Sequence, residues 1–387
     1  MPVPKLRFKE FSNEWKKIKL KYISTELQYG MNAAATDFDG QNKYIRITDI
    51  DDNTHLYNNN PVSPDGKLEE KFLVNTNDIL FARTGASTGK TYLYSIEDGR
   101  LYFAGFLIRA HIKENNNSRF IFEQTNLSRY KNWLKLTSMR SGQPGINSAE
   151  YGNYEFSITN IDEENKIAHF FELLNKKIEL QQRKIEVLKM YKRGLINKIF
   201  NIQYNNTLRL KDLIKEKSIR NKENIVKEVY SVNNKCGFIL QAEQFKDREV
   251  ASEDTSNYKI VQYNDFAYNP ARINVGSIAR MKKYNKGIIS PMYICFSCKE
   301  KLLPEYLEYY YNSEVFRHEM TKRLEGSVRM CLSYESMTNI PVDLPKVEEQ
   351  KRITKVLVEI DNKIEKEEII FSAIKKLKKG LLQKMFI

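Results

Sequence analysis

The sequence predicts an α+β protein in which two similar α/β domains are each followed by a long α-helix, and in which the two helices form an antiparallel coiled coil with pseudo-two-fold symmetry. Three observations lead to this fold class. A segment of 39 residues occurs twice without a gap, both copies carry a heptad pattern of apolar residues, and shorter segments ahead of each copy also correspond.

The duplicated segment covers residues 162–200 and 348–386. Ile167 falls on Ile353, and the same offset in numbering holds to the end of both copies. Apolar residues recur at alternating steps of four and three, which is the spacing of a coiled-coil seam. Both copies begin with acidic residues and end in lysine-rich turns, as the helix dipole favours. Each copy is therefore predicted to form one helix of roughly 58 Å.

The residues that pack along the seam follow from the same pattern. Gln181 and Glu367 interrupt it at the same place in the two copies, and so do Lys192 and Lys378. We expect Gln181 and Glu367 to lie near each other and to help set the register of the helices. The other residues predicted to form the helix contact are Ile167, Phe171, Leu174, Ile178, Ile185, Ile353, Leu357, Ile360, Ile364 and Phe371.

The segments ahead of the helices correspond more weakly. Asn77 falls on Asn264 and Gly89 falls on Gly276, at an offset one position larger than that of the helices. The small drift in offset indicates that the globular parts carry insertions while the helices do not. The predicted layout is a first α/β domain at 1–160, a helix at 161–200, a second α/β domain at 201–346 and a helix at 347–387.

The charge of the chain indicates a polyanionic partner. Lysine and arginine number 63 and aspartate and glutamate number 49, which gives a net charge of +14. Nucleic acid is favoured over a membrane, because no apolar run approaches the roughly 18 residues of a membrane span. The N-terminal residues have no apolar signal-peptide core, so a soluble, cytoplasmic protein is expected. The alternative is that the basic charge serves only solubility.

The cysteines do not predict a metal site. Cys295 and Cys298 form a C-x-x-C pair, but the other cysteines and the histidines lack the spacing that zinc would need. The stretch "MYICFSCKE" is typical of a strand, on which residues three apart face opposite sides. Buried free thiols are expected instead.

The stretch "FARTGASTGKTYLYS" (81–95) partly matches a phosphate-binding P-loop, so a P-loop enzyme is one alternative function. Thr84 stands where the motif needs its first glycine, and Ser277 stands in the second copy where Lys90 stands in the first. A P-loop must also lead into a helix. The residues that follow are β-branched and aromatic, and we expect them to form a hairpin that turns at Asp98-Gly99. A structural loop is therefore favoured.

The whole chain resembles the specificity subunits of type I restriction-modification systems. The resemblance is carried by "DEENKIAHFFELLNKKIELQQRKIEVLK" and "VEEQKRITKVLVEIDNKI" of the helices, by the loops "ARTGASTGK" and "NPARINVGSI", and by the opening "PKLRFKEFSNEWKKIKL". It implies two target-recognition domains, each reading one half of a split double-stranded DNA target, and helices that fix the distance between the halves. The first helix departs from the pattern, because its lead-in "FSITNIDEEN" lacks the prolines of "IPVDLPKVEEQ".

The resemblance also implies the partners. Two methyltransferase (modification) subunits would dock on the helices, and restriction/translocase subunits would join through the complex. S-adenosylmethionine, ATP and Mg would be bound by those subunits, and this chain would hold no cofactor, no metal and no catalytic residue. The residues agree with a non-catalytic role. The nearest match to a methyltransferase clamp, "NPAR" at 269–272, lacks its second proline and its aromatic residue, and no G-x-G-x-x-G is present.

The candidate DNA-binding residues lie in loops, because loop cations contact phosphates and Arg, Asn and Gln recognise base edges. For each of them a surface ion pair or a turn hydrogen bond is the alternative role. A basic coiled-coil scaffold without sequence-specific DNA recognition is the alternative for the chain as a whole. The candidates are Arg83, Thr84, Ser87, Arg140, Ser141 and Gln143 in the first domain, and Arg272, Asn274, Ser327 and Arg329 in the second.

Overall fold

The computed structural model describes residues 3–52, 54–139, 143–234, 236–244, 254–326 and 330–387. The chain forms two compact units. Unit 1 comprises Met1–Gln182 together with Ile370–Ile387, and unit 2 comprises Arg183–Ile369. Each unit therefore consists of one globular domain, part of the long helix that follows it, and part of the other long helix.

The first globular domain is mixed α/β and leads into the first long helix. Its elements are β1 (Lys16–Lys19), α1 (Leu20–Ile23), β2 (Ser24–Tyr29), β3 (Ala35–Asp37), β4 (Lys43–Ile45), β5 (Val62–Pro64), β6 (Asp78–Ala82), β7 (Thr91–Leu93), β8 (Leu101–Phe103), β9 (Leu107–Ile112), α2 (Ser118–Gln124), α3 (Ser128–Ser138), α4 (Ser148–Asn153), β10 (Glu155–Ile158) and α5 (Ile161–Phe200).

The second globular domain has a similar succession of elements. They are β11 (Thr207–Arg209), α6 (Leu210–Leu213), β12 (Ile214–Glu216), β13 (Val229–Asn233), β14 (Gly237–Leu240), α7 (Gln241–Gln244), β15 (Lys259–Gln262), β16 (Phe266–Tyr268), β17 (Ile278–Arg280), β18 (Lys286–Ile289), β19 (Ile294–Cys298), α8 (Pro304–Tyr310), α9 (Glu314–Thr321), α10 (Tyr334–Thr338), β20 (Pro341–Asp343) and α11 (Val347–Met385).

The two domains share a sheet topology. Unit 1 has a four-stranded antiparallel sheet in the order β2-β9-β6-β7, and unit 2 has one in the order β12-β19-β16-β17. A two-stranded antiparallel pair precedes each long helix, β1-β10 in unit 1 and β11-β20 in unit 2. The remaining strands differ: unit 1 adds the pairs β3-β5 and β4-β8, whereas unit 2 adds a second four-stranded sheet, β14-β13-β18-β15.

The two long helices pack together, and their direction is antiparallel within each unit. In unit 1 the end of α11 enters the core beside the start of α5, with the ring of Phe386 5.1 Å from that of Phe120 and 5.9 Å from that of Phe171. In unit 2 the end of α5 does the same, and the ring of Phe200 lies 5.0 Å from that of Tyr306. Phe200 and Phe386 stand at equivalent positions of the two copies, so the repeat extends to these contacts.

The predicted seam residues lie on the inner sides of the helices. Ile167, Phe171, Ile185, Ile353, Leu357 and Ile364 are buried, and Leu174, Ile178, Ile360 and Phe371 are half-buried. Glu367 is also buried, and Lys184 pairs with it at 2.6 Å. The predicted proximity of Gln181 and Glu367 stays a prediction.

A buried side chain fastens the first turn of each long helix to its own globular domain. In unit 1, the carboxylate of Glu164 accepts hydrogen bonds from the backbone amides of Asn117 at 2.8 Å and Thr159 at 3.2 Å. In unit 2, Gln350 stands at the equivalent position, and its Oε1 accepts from the backbone amide of Leu303 at 2.9 Å. Both side chains are fully buried, so their hydrogen bonds have little competition from water.

Pro345, which is present only in the second lead-in, explains why the second helix has Gln350 where the first has Glu164. Thr159 corresponds to Pro345, which has no N–H to donate. Gln350 instead donates from Nε2 to the carbonyl oxygens of Pro345 and Lys301, both at 2.9 Å. A carboxylate at position 350 would face two carbonyl oxygens, so an amide is the side chain that satisfies this site.

We expect Glu164 to make the stability of unit 1 depend on pH. Burial raises the pKa of Glu164 to about 7, while the backbone amides of Asn117 and Thr159 act in the opposite direction. A carboxyl whose pKa is raised by folding stabilises the fold below its unfolded pKa, and this contribution is lost as the pH rises through about 7. Relative to the Glu164→Gln variant, the wild-type chain should lose about 3 kcal/mol between pH 4.5 and 7.5.

Thermal unfolding of the wild type and of Glu164→Gln at a series of pH values tests this expectation. Gln350→Ala is the matched control, because it removes the hydrogen bonds of the equivalent, uncharged side chain in unit 2. It should lower the unfolding midpoint by the same amount at every pH, since Gln350 does not titrate. Parallel pH profiles for the wild type and Glu164→Gln would show that Glu164 does not titrate in this range.

Candidate nucleic-acid interface

The loop that partly matched a P-loop connects two antiparallel strands. β6 pairs with β7, Ile79 opposite Leu93 and Phe81 opposite Thr91, so residues 83–90 form the loop of a hairpin. The expectation of a hairpin turning at Asp98-Gly99 was wrong. The strands on either side of that turn belong to different sheets, because β7 pairs with β6 while β8 pairs in parallel with β4. Composition indicated strands here but could not identify their partners.

The lysine of the partial P-loop motif is held by the domain itself. The Nζ atom of Lys90 donates to the carbonyl oxygens of Ile50 at 2.9 Å and Ile47 at 3.4 Å, and it lies 2.5 Å from Oδ1 of Asp52. The loop also leads into a strand, so no helix N-terminus follows it to bind phosphate. Lys90 therefore connects the hairpin to the segment that contains residues 47–52.

Unit 2 contains the same hairpin. β16 pairs with β17, and residues 269–277 form the loop between them. The shared asparagines precede β6 and β16, and both adopt a left-handed conformation, with φ of 71° at Asn77 and 70° at Asn264. The aspartate that follows each asparagine accepts from a backbone amide three residues before it, that of Asn75 or Gln262. The Asn-Asp pair is common to both copies because it shapes the turn into the hairpin.

A second turn packs beside each hairpin loop. The backbone amide of Ile146 donates to the carbonyl oxygen of Arg83 at 2.9 Å, and that of Leu332 donates to Pro270 at 3.1 Å. We call the resulting surfaces the loop faces: residues 83–90 with 143–147 in unit 1, and residues 269–277 with 330–333 in unit 2.

The candidate DNA-binding residues that the structure describes lie on these loop faces. In unit 1, Arg83, Thr84 and Ser87 are half-buried and Gln143 is exposed. The structure brings Gln143 to the hairpin loop, because its Nε2 lies 3.2 Å from the place that a Cβ on Gly85 would occupy. In unit 2, Arg272 and Asn274 are exposed. Four other candidates, Arg140, Ser141, Ser327 and Arg329, lie outside the described residues.

The two arginines do not occupy equivalent positions. The contact made by the carbonyl oxygen of Arg83 is made in unit 2 by Pro270, so Arg272 corresponds to Gly85 instead. Arg83 follows the last residue of β6, whereas Arg272 precedes the short 3₁₀ helix Ile273–Val275. The backbone of the loop faces is shared, and the position of the cation differs.

An aromatic platform orients Arg83. Its guanidinium carbon lies 4.8 Å from the centre of the Tyr29 ring, and its Nη1 donates to the carbonyl oxygen of Gly105 at 3.4 Å. The hydroxyl of Tyr29 accepts from the backbone amide of Ser148 at 3.0 Å. Burial acts to raise the pKa of Tyr29, but this hydrogen bond and the charge of Arg83 outweigh it and lower that pKa. The ring therefore holds the arginine in a defined direction.

Sequence reasoning missed Tyr29 and two exposed apolar residues, Phe106 and Met292, that contact the loop faces. Phe106 is 61% exposed, and its carbonyl oxygen accepts from the backbone amide of Arg83. In unit 2, Met292 is also 61% exposed, and its sulfur lies 3.8 Å from the side-chain nitrogen of Asn269. The signal available in the sequence was weak: an apolar residue in a tight turn, after Gly105 or Pro291. Tyr29 is far from Arg83 in sequence and gave no signal.

No metal centre accompanies these surfaces in the described residues, where no group of three or more potential His, Cys, Asp or Glu ligands occurs. The interpretation of the C-x-x-C pair as strand thiols is confirmed. Cys295 is buried in one apolar cluster of unit 2 and Cys298 packs against another, on the other side of β19. Burial raises the pKa of each thiol to about 12. Among the helices in the described parts of the chain, none has the length and apolar character to cross a membrane.

Each unit of the duplicated α/β fold carries an arginine on its loop face, Arg83 in unit 1 and Arg272 in unit 2. The chain matches the family described as "Type I restriction modification DNA specificity domain" over residues 7–190 and again over residues 198–375. Because these matches extend over both units, the chain belongs to this family, which is non-catalytic.

Similar proteins of the same kind are known. The type I restriction enzyme MjaVIII specificity subunit of Methanocaldococcus jannaschii is 22% identical over 354 residues, which cover 81% of this chain and 79% of that protein. The crystal structure of a type I restriction-modification S subunit from M. genitalium has a TM-score of 0.58 at 14% identity, and covers 100% of this chain and 99% of its own.

A chain from a structure that concerns complex assembly and conformational transition of the type I R-M system has a TM-score of 0.57 at 15% identity. The match covers 97% of this chain and 99% of the other chain. At these identities, the two structures establish the similarity of fold.

We expect Lys90 to be a structural residue. The Lys90→Met variant should lower the unfolding free energy by about 1–3 kcal/mol, because the carbonyl oxygens of Ile47 and Ile50 lose their donor. Any binding of ATP by the chain should be the same in the wild type and the folded variant. Calorimetric unfolding and an ATP-binding assay measure the two effects. Loss of nucleotide binding with unchanged stability would contradict this role.

Proposed function

We propose that this chain is the DNA-specificity subunit of a type I restriction-modification complex, in which each loop face reads one half of a bipartite, asymmetric double-stranded DNA target. The observation that carries the proposal is the family match through both units, together with a loop face that the same backbone contacts build in each. A chain with two similar recognition surfaces is suited to a DNA target that has two separate halves.

The charge and the loop chemistry support DNA as the ligand. The net charge of +14 favours association with phosphates. Arg83 and Gln143 on one loop face, and Arg272 and Asn274 on the other, are side chains that recognise guanine or adenine edges through paired hydrogen bonds. Arg83 is held by Tyr29 before any ligand binds, which reduces the entropy that base recognition would cost.

The differences between the loop faces support unequal half-targets. The shared features, such as Asn77 and Asn264, shape the backbone and cannot distinguish two sequences. The side chains that the loops present differ, since Arg83 corresponds to Pro270 and Arg272 corresponds to Gly85. Two loop faces with the same backbone and different cations are expected to read different bases.

The catalytic steps belong to partner subunits in this proposal. Two modification subunits, acting as a DNA adenine methyltransferase, would dock on the long helices, and restriction/translocase subunits would supply the endonuclease. Those subunits would bind S-adenosylmethionine, ATP and Mg. Val187, Met190 and Tyr191 support a docking role for α5, because within unit 2 these apolar side chains are 60% or more exposed on one stretch of the helix.

Arginine substitutions test which unit reads which half. We expect Arg83→Ala to reduce methylation of the target about 10- to 100-fold, equivalent to about 1–3 kcal/mol, and to relax base preference in one half only. Arg272→Ala should relax the other half. Methylation of a library with randomised half-targets, by the assembled complex, measures both effects.

Lys9→Ala is the control, because Lys9 is an exposed cation of unit 1 outside its loop face. It should leave base preference unchanged. If Arg83→Ala weakens methylation equally on all sequences, Arg83 contacts phosphate and does not read a base. If it changes both halves, the assignment of one half to each unit is wrong.

The length of the helices is proposed to set the gap between the half-targets. Inserting one heptad into both helices, after Gln182 and after Ile369, keeps the apolar seam in phase and lengthens each helix by about 10 Å. That length corresponds to about three base pairs at roughly 3.4 Å each. We expect methylation mapping to show a longer gap with both half-sequences unchanged. A changed half-sequence with an unchanged gap would exclude the helices as the measuring element.

A further inference from the structure

Lys192 and Lys378 interrupt the apolar pattern of the long helices at equivalent places, and the structure gives each a carboxylate partner. In unit 1, the Nζ atom of Lys378 lies 3.4 Å from Oε2 of Glu123, which is on α2 of the globular domain. The side-chain amide of Asn175 on α5 donates to Oε1 of the same glutamate at 2.9 Å. Three side chains, one from the domain and one from each helix, therefore meet at one point.

Unit 2 builds the same meeting point with different residues. Lys192 on α5 lies 2.5 Å from Oδ1 of Asp361 on α11, and the hydroxyl of Tyr309 on α8 donates to Oδ2 of that aspartate at 2.7 Å. The ammonium of Lys192 also lies 5.2 Å from the centre of the Tyr309 ring. The globular domain, its own helix and the other helix each contribute one side chain here too.

The two sets of residues are equivalent position by position. Tyr309 corresponds to Glu123, Asp361 to Asn175 and Lys192 to Lys378, and all three pairs have the offset of the helix repeat. We call each set a lysine triad. The lysine always comes from the helix of the other half. The carboxylate has changed place, from the globular domain in unit 1 to the following helix in unit 2.

The environment makes the single carboxylate important. Glu123 is fully buried and Tyr309 is 5% exposed, so the domain side of each triad is shielded from water, whereas the side chain of Asp361 on the helix side is 38% exposed. One ammonium and one carboxylate balance there. Two carboxylates beside one lysine would repel each other, most strongly where Glu123 is buried, and a triad with no carboxylate would leave the lysine without a counter-ion. Either imbalance destabilises the contact between domain and helices.

We propose that the lysine triads are a matching device that lets each globular domain pack only on the helix that follows it in the chain. If the first domain were placed on α11, Glu123 and Asp361 would share one lysine. If the second domain were placed on α5, Tyr309 and Asn175 would offer that lysine no carboxylate. Because both triads use the same lysine, a domain can be exchanged for the other one together with the helix that follows it. A domain exchanged without that helix needs a compensating substitution in the helix it now precedes.

A double-mutant cycle on the full-length chain tests the triad without reference to DNA. Glu123→Gln removes the carboxylate, Asn175→Asp adds a second one, and the double variant moves the single carboxylate to the helix, as in unit 2. All three changes nearly preserve side-chain volume. Each single variant should lower the thermal unfolding midpoint by at least about 5 °C, and the double variant should return to within about 2 °C of the wild type. Additive losses would overturn the proposal.

The reverse cycle in unit 2 keeps the test decisive if one variant of unit 1 fails to fold. Asp361→Asn should be destabilising alone and should be rescued by Tyr309→Glu, which restores one carboxylate on the domain side. The control is Lys189→Ala, because the Lys189–Glu368 ion pair joins the same two helices in unit 2 without involving the globular domain. It should neither rescue nor worsen either triad variant.

A chimera extends the test to recognition, and this step rests on the proposed function. Residues 201–346 replace residues 1–160, so that the second domain precedes both helices. The chimera should unfold at a lower temperature than the same chimera with Asn175→Asp. The rescued chimera, assembled with its partner subunits, should methylate a target made of two copies of one half-sequence. A rescued melting midpoint without such methylation would count against the proposed function and not against the triad.

Discussion

The structure depends on the burial of one aromatic side chain at the end of each long helix. Phe386 packs against Phe120 in unit 1, and Phe200 packs against Tyr306 in unit 2, so each core is completed by a helix that starts in the other half of the sequence. Burial of such a ring contributes on the order of 2–3 kcal/mol. Because both ends must reach their sites, a change in the length of one helix needs a matching change in the other. The offset between the helices is constant, while that of the hairpin loops drifts by one position.

Around these contacts, residues that touch one another differ together between the two halves of the sequence. Gln350 replaces the carboxylate of Glu164 where Pro345 removes a backbone donor. Tyr309 replaces Glu123 where Asp361 has taken over the negative charge. In each case the polar groups that meet at the contact still find partners, because a buried polar group without one would destabilise the fold. The duplicated halves thus keep a contact while changing most of the side chains that make it.

Much of this architecture could be predicted from the sequence, because the long helices and the internal repeat follow from the spacing of residues along the chain. The heptad spacing predicted the helices, and the repeat predicted that Asn77 and Asn264 share a structural role, which their left-handed φ angles now explain. Long-range partners could not be predicted. β7 was assigned to the wrong hairpin because strand composition does not specify pairing. Tyr29 and Arg83 meet only after folding, and the interruptions at Lys192 and Lys378 were visible without any sign of their partners.

The division of the chain between units has a consequence for the order in which a ribosome-bound chain can fold. All of unit 2, Arg183–Ile369, is contiguous and can close as soon as it has been synthesised. Unit 1 is completed later, although its domain emerges first, because Leu382, Met385 and Phe386 of its core lie in Ile370–Ile387. Domains usually fold in the order of their synthesis. Here the rings of Trp15, Phe120 and Phe171 gain their contact with Phe386 only after the second domain has been synthesised, so the last segment of the chain completes the first core.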